Sequence, residues 1–228
     1  AADTKHQDLT KACLKLDSAS KLWKDYCEEN KIPTVIPLMV VQVEDKVSVD
    51  TLTSLCSQIH KTLPWLDISD CFANVFGEHD DIVTPAGKIP YVKPEEVAER
   101  TEIRVLFAKD AVSTGWDCPR AEVIYSRRKR TDPTYIAQLI GRMVRTPLAR
   151  RVTNVEELNT VACYLPEYDA VTVESVVERL KEDNVAVDAN KIIKNPADVG
   201  FFGETKKKIE KKLAQKQSEN EVKQPDDV

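Results

Sequence analysis

The sequence predicts an α/β fold in which a parallel sheet is sandwiched by helices. Three observations predict it. Short apolar segments alternate with segments of helical period over the first 165 residues. The apolar segments at 102–108 and 121–126 have the composition of buried parallel strands. Strands that alternate with helices form parallel sheets through right-handed crossovers.

The predicted elements follow one another along the chain. The predicted strands span 34–43, 71–76, 102–108, 121–126 and 160–165. The predicted helices span about 6–29, 48–62 and 133–146, with a further short helix after Pro94. Residues 77–93 are polar and predict a loop or a short hairpin with Pro85 and Gly87 at its tip.

The chain changes character after the last predicted strand. Residues 1–168 are interpreted as one domain and 169–202 as an accessory extension containing an amphipathic helix at 171–183. Residues 203–228 carry seven lysines against six acids and have little apolar surface to bury. They predict a mobile tail or a linker.

Charge is unevenly distributed along the chain. The formal net charge is −5, which does not indicate a nucleic-acid-binding protein. Between residues 120 and 151, however, nine arginines and lysines stand against two acids. This local surplus is suited to phosphate contacts and predicts a steep salt dependence. A basic loop that only confers solubility is the alternative.

The six cysteines indicate no disulfide framework and no zinc site. They are scattered without a C-x-x-C pair, and no histidine stands at ligand spacing. They are interpreted as reduced and mostly buried, as in a cytoplasmic protein. No apolar run is long enough to cross a bilayer, so no membrane partner is expected.

Residues 133–146 predict an amphipathic helix with a polar stripe. Asp132 is suited to the N-cap, and Pro147 ends the helix. Five apolar residues lie on one face at helical spacing, while a glutamine and two arginines lie on the opposite face. That polar stripe consists of Gln138, Arg142 and Arg145. A solvated surface face is the alternative interpretation.

The segment 109–120 predicts a tight polar loop between two buried strands. Ligands of open α/β sheets bind at the carboxyl ends of strands, where this loop falls. Gly115 supplies a permissive backbone, and Asp117 can accept hydrogen bonds from a ribose. An ordinary connection with an Asp-containing turn is the alternative. Trp116 is either exposed in the loop or a plug in the core.

Order, spacing and residue types of these segments resemble motifs V and VI of superfamily 2 helicases. The sequences are Gly115-Trp116-Asp117 and, at 140–145, IGRMVR. They are similar to those of the type III restriction-enzyme motor subunit and of DEAD/DEAH-like helicases. The resemblance implies a second RecA-like domain. It also implies that Arg142 and Arg145 are arginine fingers for ATP.

The same resemblance implies further roles. Gln138 would lie near the ATP phosphates, and Gly115 and Asp117 near the ribose. Ser113 and Thr114 would follow the nucleic-acid backbone, and Gln42 would end a motif IV strand beside it. The local charge surplus, independently of the resemblance, assigns the basic run after the strand at 121–126 to phosphate contacts. It consists of Arg127, Arg128, Lys129 and Arg130.

The sequence lacks two motifs that ATP hydrolysis requires. There is no G-x-x-x-x-G-K-[ST] phosphate loop and no D-E-x-[DH] pair for magnesium. We therefore expect ATP and Mg²⁺ to be held mainly by a first RecA-like domain that this sequence lacks, and the chain alone to be inactive. Thr114 and Leu139 stand where DEAD-box proteins have arginines. This departure favours a motor on double-stranded DNA over one on RNA.

Two other functions remain open from the sequence. One is a catalytically silent RecA-like module that binds a protein partner through the polar stripe. The other is a stand-alone nucleic-acid-binding domain that uses the basic run. Partner binding without ATP would favour the first, and duplex binding insensitive to changes at Arg142 and Arg145 would favour the second.

Overall fold

The structure is a computed structural model, and it describes residues 2–109, 116, 118–128, 147–148, 152–165 and 192–193. The α-helices are α1 (Ala2–Asn30), α2 (Val49–Thr62) and α3 (Ile68–Cys71). The strands are β1 (Leu38–Gln42), β2 (Phe72–Asn74), β3 (Ile82–Thr84), β4 (Gly87–Ile89), β5 (Val105–Ala108), β6 (Ala121–Ser126), β7 (Val161–Tyr164) and β8 (Ile192–Ile193). Short 3₁₀ helices span Pro94–Glu96 and Glu156–Asn159.

Six strands form one sheet in the order β2-β5-β1-β6-β7-β8, and every pairing in it is parallel. The predicted parallel α/β architecture is therefore confirmed. Strands β3 and β4 form a separate antiparallel hairpin, which confirms the hairpin alternative for residues 77–93. The helix expected after Pro94 is a single 3₁₀ turn.

Local chemistry explains where several elements begin. Strand β1 starts at Leu38, not at residue 34, because Pro37 has no N–H to donate to a ladder. Helix α2 starts after Ser48, whose hydroxyl accepts a 3.1 Å hydrogen bond from the backbone N–H of Thr51. Cys71 ends α3 and does not open β2, so the strand predicted at 71–76 is shorter.

The two faces of the sheet are covered differently. On one face, α1 and α2 pack over residues such as Met39 and Val41 of β1. On the other face, Leu38 and Val40 pack with Trp116 and with side chains of segment 92–103. Among the described residues, this second face is covered by loops and a 3₁₀ turn, whereas helices were predicted on both faces.

The chain leaves neighbouring strands β1 and β6 in opposite directions along the sheet. From β1 it passes through α2 on the helical face to β2, and from β6 it continues outward to β7. The β5-to-β6 connection runs the other way from the β1-to-β2 connection and packs on the other face, through Trp116 and Cys118. These two crossovers therefore have the same hand, as expected for parallel strands.

The amino-terminal edge of the sheet is held by one buried arginine. Arg120, just before β6, donates to five backbone carbonyls of the segments that enter the central strands. The acceptors are the carbonyl oxygens of Ile36, Val97, Ala98, Arg100 and Ile103, at 2.7–3.3 Å. Burial lowers the pKa of Arg120 from its usual range, and the carbonyl dipoles hold the charge in place.

Glu122 is a second buried ionisable residue near this edge. The register of β6 against β1 shifts after Leu38, so that Glu122 is the extra residue of a bulge. The bulge turns its side chain toward α1, where Trp23 Nε1 donates a hydrogen bond to its carboxyl. Burial raises the pKa of Glu122 to about 8, although this bond and the charge of Lys15 oppose the rise.

Candidate functional site

The carboxyl ends of the three central strands form the candidate site. In register, Gln42 of β1 stands between Ala108 of β5 and Ser126 of β6. This is where the chain turns in opposite directions from β1 and β6. Ligands of open α/β sheets bind in the crevice at such a topological switch point. We call this region the carboxyl edge.

The floor of the carboxyl edge is a buried polar pair. Ser126 Oγ donates a 2.8 Å hydrogen bond to Gln42 Oε1, and both residues are almost fully buried. The backbone N–H of Arg127 donates to the Gln42 carbonyl at 2.9 Å, which extends the pairing one residue beyond β6. Gln42, predicted to lie near nucleic acid, is therefore at this edge but beneath its surface.

Arg128 ties three strand ends together. Its Nη1 donates to the backbone carbonyl of Lys109, just after β5, at 2.6 Å. Its Nη2 pairs with Asp45, just after β1, and its backbone N–H donates to Ser126 Oγ at 3.3 Å. The side chain is buried. The structure thus places Arg128 as an internal link, although the sequence assigned it to phosphate contacts.

Arg127 lies nearer the surface than Arg128. Its Nε is 3.4 Å from Glu44 Oε1, which is within ion-pair distance. Arg127 Nε and Glu44 Oε2 are nevertheless both inaccessible to solvent and have no hydrogen-bond partner among the described residues. The two neighbouring arginines of the basic run therefore occupy different environments.

A third basic group lies beside them. Lys109 Nζ pairs with Glu78 and stands 4.6 Å from the centroid of the Phe76 ring. The hydrogen bond from Lys109 lowers the pKa of the exposed Glu78 carboxyl. Lys109 immediately precedes segment 110–115, so its side chain and its carbonyl fix the point where that segment leaves β5.

Trp116 fixes the other end of the same segment. It is 4% exposed and packs in the apolar cluster on the loop-covered face of the sheet, together with Cys118 and Leu106. The prediction of a tryptophan plug in the core is confirmed, and the exposed alternative is wrong. Residues 110–115 are therefore bounded by the end of β5 on one side and the buried Trp116 indole on the other.

The β3–β4 hairpin is held against the end of β2 by Asn74. The Asn74 amide donates to the carbonyls of Asp80 and Ile89 at 3.2 and 3.1 Å. Its Oδ1 accepts from the Phe76 N–H at 3.1 Å. This buried side chain thus connects the hairpin to the loop that carries Glu78.

Three of the predicted site residues are described, namely Gln42, Arg127 and Arg128, and the structure brings them together. The others lie outside the described residues: Ser113, Thr114, Gly115, Asp117, Lys129, Arg130, Gln138, Arg142 and Arg145. Sequence reasoning missed Glu44, Asp45, Glu78 and Lys109. The signal that could have found Glu44 and Asp45 is their position directly after a buried strand.

The cysteines are free, and five of the six are buried, as predicted. Burial raises the pKa of the Cys13, Cys56 and Cys163 thiols to about 12, so these thiols are unreactive at neutral pH. Within the described ranges, no group of three His, Cys, Asp or Glu side chains is arranged to hold a metal ion. No helix in those ranges is long and apolar enough to span a bilayer.

Comparisons of the chain with family models, with curated proteins and with solved structures found no match. The functional interpretation therefore depends on the two motifs and on the geometry of the carboxyl edge.

Proposed function

We propose that this chain is the C-terminal, second RecA-like motor domain of a cytoplasmic superfamily 2 helicase or translocase that acts on duplex DNA. One observation carries the proposal. Lys109, which precedes the segment containing Gly115-Trp116-Asp117, and Arg127, which opens the basic run at 127–130, both lie at the carboxyl edge beside the topological switch point. A ligand in that crevice would meet both segments.

In this proposal the chain completes an ATP site that a Walker-containing first domain begins. Arg142 and Arg145 would reach the γ-phosphate, where an arginine finger is worth about 10³–10⁵ in rate. Gln138 would lie near the phosphates, and Asp117, beside Gly115, would approach the ribose. Magnesium would be held mainly by the other domain and would neutralise charge on the β- and γ-phosphates.

The nucleic acid would contact the same edge from outside. Ser113 and Thr114 would follow the sugar–phosphate backbone, and Lys129 and Arg130 would add positive charge near it. Gln42 and Arg128 are buried, so their proposed role is to support the edge from beneath. In this arrangement, closure of the two RecA-like domains around ATP would change the contacts that this edge makes with DNA.

The test is ATP turnover by the protein in which this chain is joined to a Walker-containing domain. We expect Arg145→Ala to lower duplex-stimulated ATP hydrolysis by about 10³-fold or more without changing the circular dichroism spectrum. The matched control is Arg100→Ala, because Arg100 is an exposed arginine at the opposite edge of the sheet. Near-normal turnover by Arg145→Ala would contradict the proposal.

The other candidate functions have less support. A stand-alone nucleic-acid-binding domain would need a freely accessible basic run, but Arg127 and Arg128 both pair with acids. A silent protein-interaction module would rely on the stripe of Gln138, Arg142 and Arg145, which lies outside the described residues.

A further inference from the structure

Among the described residues, three ion pairs at the carboxyl edge share one arrangement: the acid is outside and the base is inside. The exposed fractions are 44% for Glu44 against 24% for Arg127, 63% for Asp45 against 5% for Arg128, and 58% for Glu78 against 18% for Lys109. The Arg100–Glu102 pair of the amino-terminal edge has nearly equal exposures of 43% and 50%. The described residues of the carboxyl edge therefore present carboxylates to solvent.

This arrangement is unfavourable for binding a phosphate. A phosphodiester that approaches the edge meets the negative partners first, and each must move aside before a base can be reached. The free-energy cost of exchanging a partner depends on the other contacts that each of the three bases makes.

Two of the bases are held by more than their acid. Arg128 also donates to the Lys109 carbonyl, and Lys109 also lies over the Phe76 ring. For Arg127, Glu44 is the one acid within ion-pair distance among the described residues. Arg127 is therefore the base whose partner is easiest to replace.

The Arg127–Glu44 pair also leaves hydrogen-bonding capacity unused. Arg127 Nε has no acceptor and Glu44 Oε2 has no donor among the described residues, although both atoms are shielded from solvent. A guanidinium binds phosphate through two parallel N–H donors, so a phosphate oxygen would supply the acceptor that Nε lacks. Displaced into solvent, Glu44 would regain hydration.

We propose that Glu44 masks Arg127 as an internal stand-in for phosphate, and that a phosphodiester of the nucleic-acid backbone displaces it. The inference rests on the proposed function and adds a regulated contact to the same edge. Without nucleic acid, the mask weakens association with other polyanions. When nucleic acid is bound, Arg127 exchanges Glu44 for a backbone phosphodiester. Arg128 keeps its contact with Asp45 and continues to fix the strand ends.

The test compares duplex DNA binding by the full chain and by variants, followed by fluorescence anisotropy. The variants are Glu44→Gln, Arg127→Gln and the two combined, with Glu102→Gln as control. Glu102 also pairs with an arginine but at the opposite edge, so this control changes net charge equally. Affinities are measured at salt concentrations from about 50 to 200 mM, because each phosphate contact contributes a slope of about 0.9.

We expect Glu44→Gln to bind duplex about 3- to 10-fold more tightly than the control at the lowest salt, with a slope steeper by up to about 0.9. Adding Arg127→Gln should abolish both gains. Equal affinities and slopes for Glu44→Gln and Glu102→Gln would overturn the masking inference alone. Failure of every form to bind duplex at low salt would overturn both the inference and the DNA contact of the proposed function.

A second arm identifies the source of the phosphate. Binding of inorganic phosphate and of ATP to the same variants is measured by calorimetry. We expect Glu44→Gln to gain affinity for duplex without a comparable gain for either small anion. A gain confined to inorganic phosphate or ATP would show that Arg127 serves a free phosphate, and it would overturn the assignment to nucleic acid.

Discussion

The two edges of the central sheet hold arginines in contrasting ways. At the amino-terminal edge, Arg120 donates to five backbone carbonyls. At the carboxyl edge, Arg127 and Arg128 pair with side-chain carboxylates. A backbone carbonyl of a packed segment cannot leave its donor without local unfolding, whereas a carboxylate can rotate into solvent. The first edge is therefore suited to stability and the second to exchange of partners.

The largest expected effect concerns the buried carboxyl of Glu122, near the amino-terminal edge. The pKa of Glu122 is about 8 in the folded chain, against an ordinary value of 4.5. The folded state therefore retains a proton that the unfolded state has lost. The contribution of Glu122 to the free energy of unfolding is fully present below pH 4.5 and is lost as the pH rises through 8. The total loss is on the order of 5 kcal/mol.

Glu122→Gln should remove this dependence, because the amide is neutral and can still accept from Trp23. The free energy of unfolding, measured by urea titration at several pH values, should be flatter for this variant between pH 4.5 and 8. Lys15 on α1 and Glu157 on the second 3₁₀ helix are the charged neighbours that interact there. Glu157→Gln is therefore the control and should keep the parent slope. An unchanged slope in Glu122→Gln would contradict the raised pKa of the buried Glu122 carboxyl.

Replacement of Arg120 is expected to have the next largest effect. Arg120→Met leaves five carbonyl groups without their donor, so we expect a loss of about 4 kcal/mol in the free energy of unfolding. Arg120→Lys should not restore it, because an ammonium cannot match the planar fork of donors. Arg100→Met, which removes an exposed side chain at the same edge, should cost less than about 0.5 kcal/mol. A small loss in Arg120→Met would contradict the proposed rigidity of this edge.

A smaller loss is expected at the carboxyl edge. Arg128→Met removes the hydrogen bond to the Lys109 carbonyl and the pair with Asp45, and we expect a cost of about 2 kcal/mol. Asp45→Asn keeps the carbonyl bond and changes an exposed acid, so it should cost less than about 1 kcal/mol. Chemical denaturation of both variants measures the difference. If Arg128→Met were as costly as Arg120→Met, the two edges would be equally fixed.

The sheet could be predicted from sequence because its strands are short apolar runs of distinct composition. Segment 121–126 was predicted with its observed bounds, and the helix predicted at about 48–62 is α2, Val49–Thr62. The environments of individual charges could not be predicted. Glu122 lies inside an apolar run, and only the register shift against β1 directs it toward Trp23.

The basic run shows the same limit at the candidate site. In the sequence, Arg127 and Arg128 are equivalent members of one charged segment. Pairing beyond the end of β6 places them differently, so that one is buried beneath Asp45 and the other lies beside Glu44. The acidic partners of the two arginines follow β1 and precede them by more than 80 residues in the chain. Only the parallel β1–β6 pairing brings the acids and the arginines together.

The most direct test of the account is hydrogen–deuterium exchange of the chain with and without saturating duplex DNA. We expect slower exchange in segments 42–46 and 125–128, at the carboxyl edge, and no change in segment 97–104, at the amino-terminal edge. Protection of segment 97–104 with none at the carboxyl edge would contradict the assignment of the nucleic-acid-binding face.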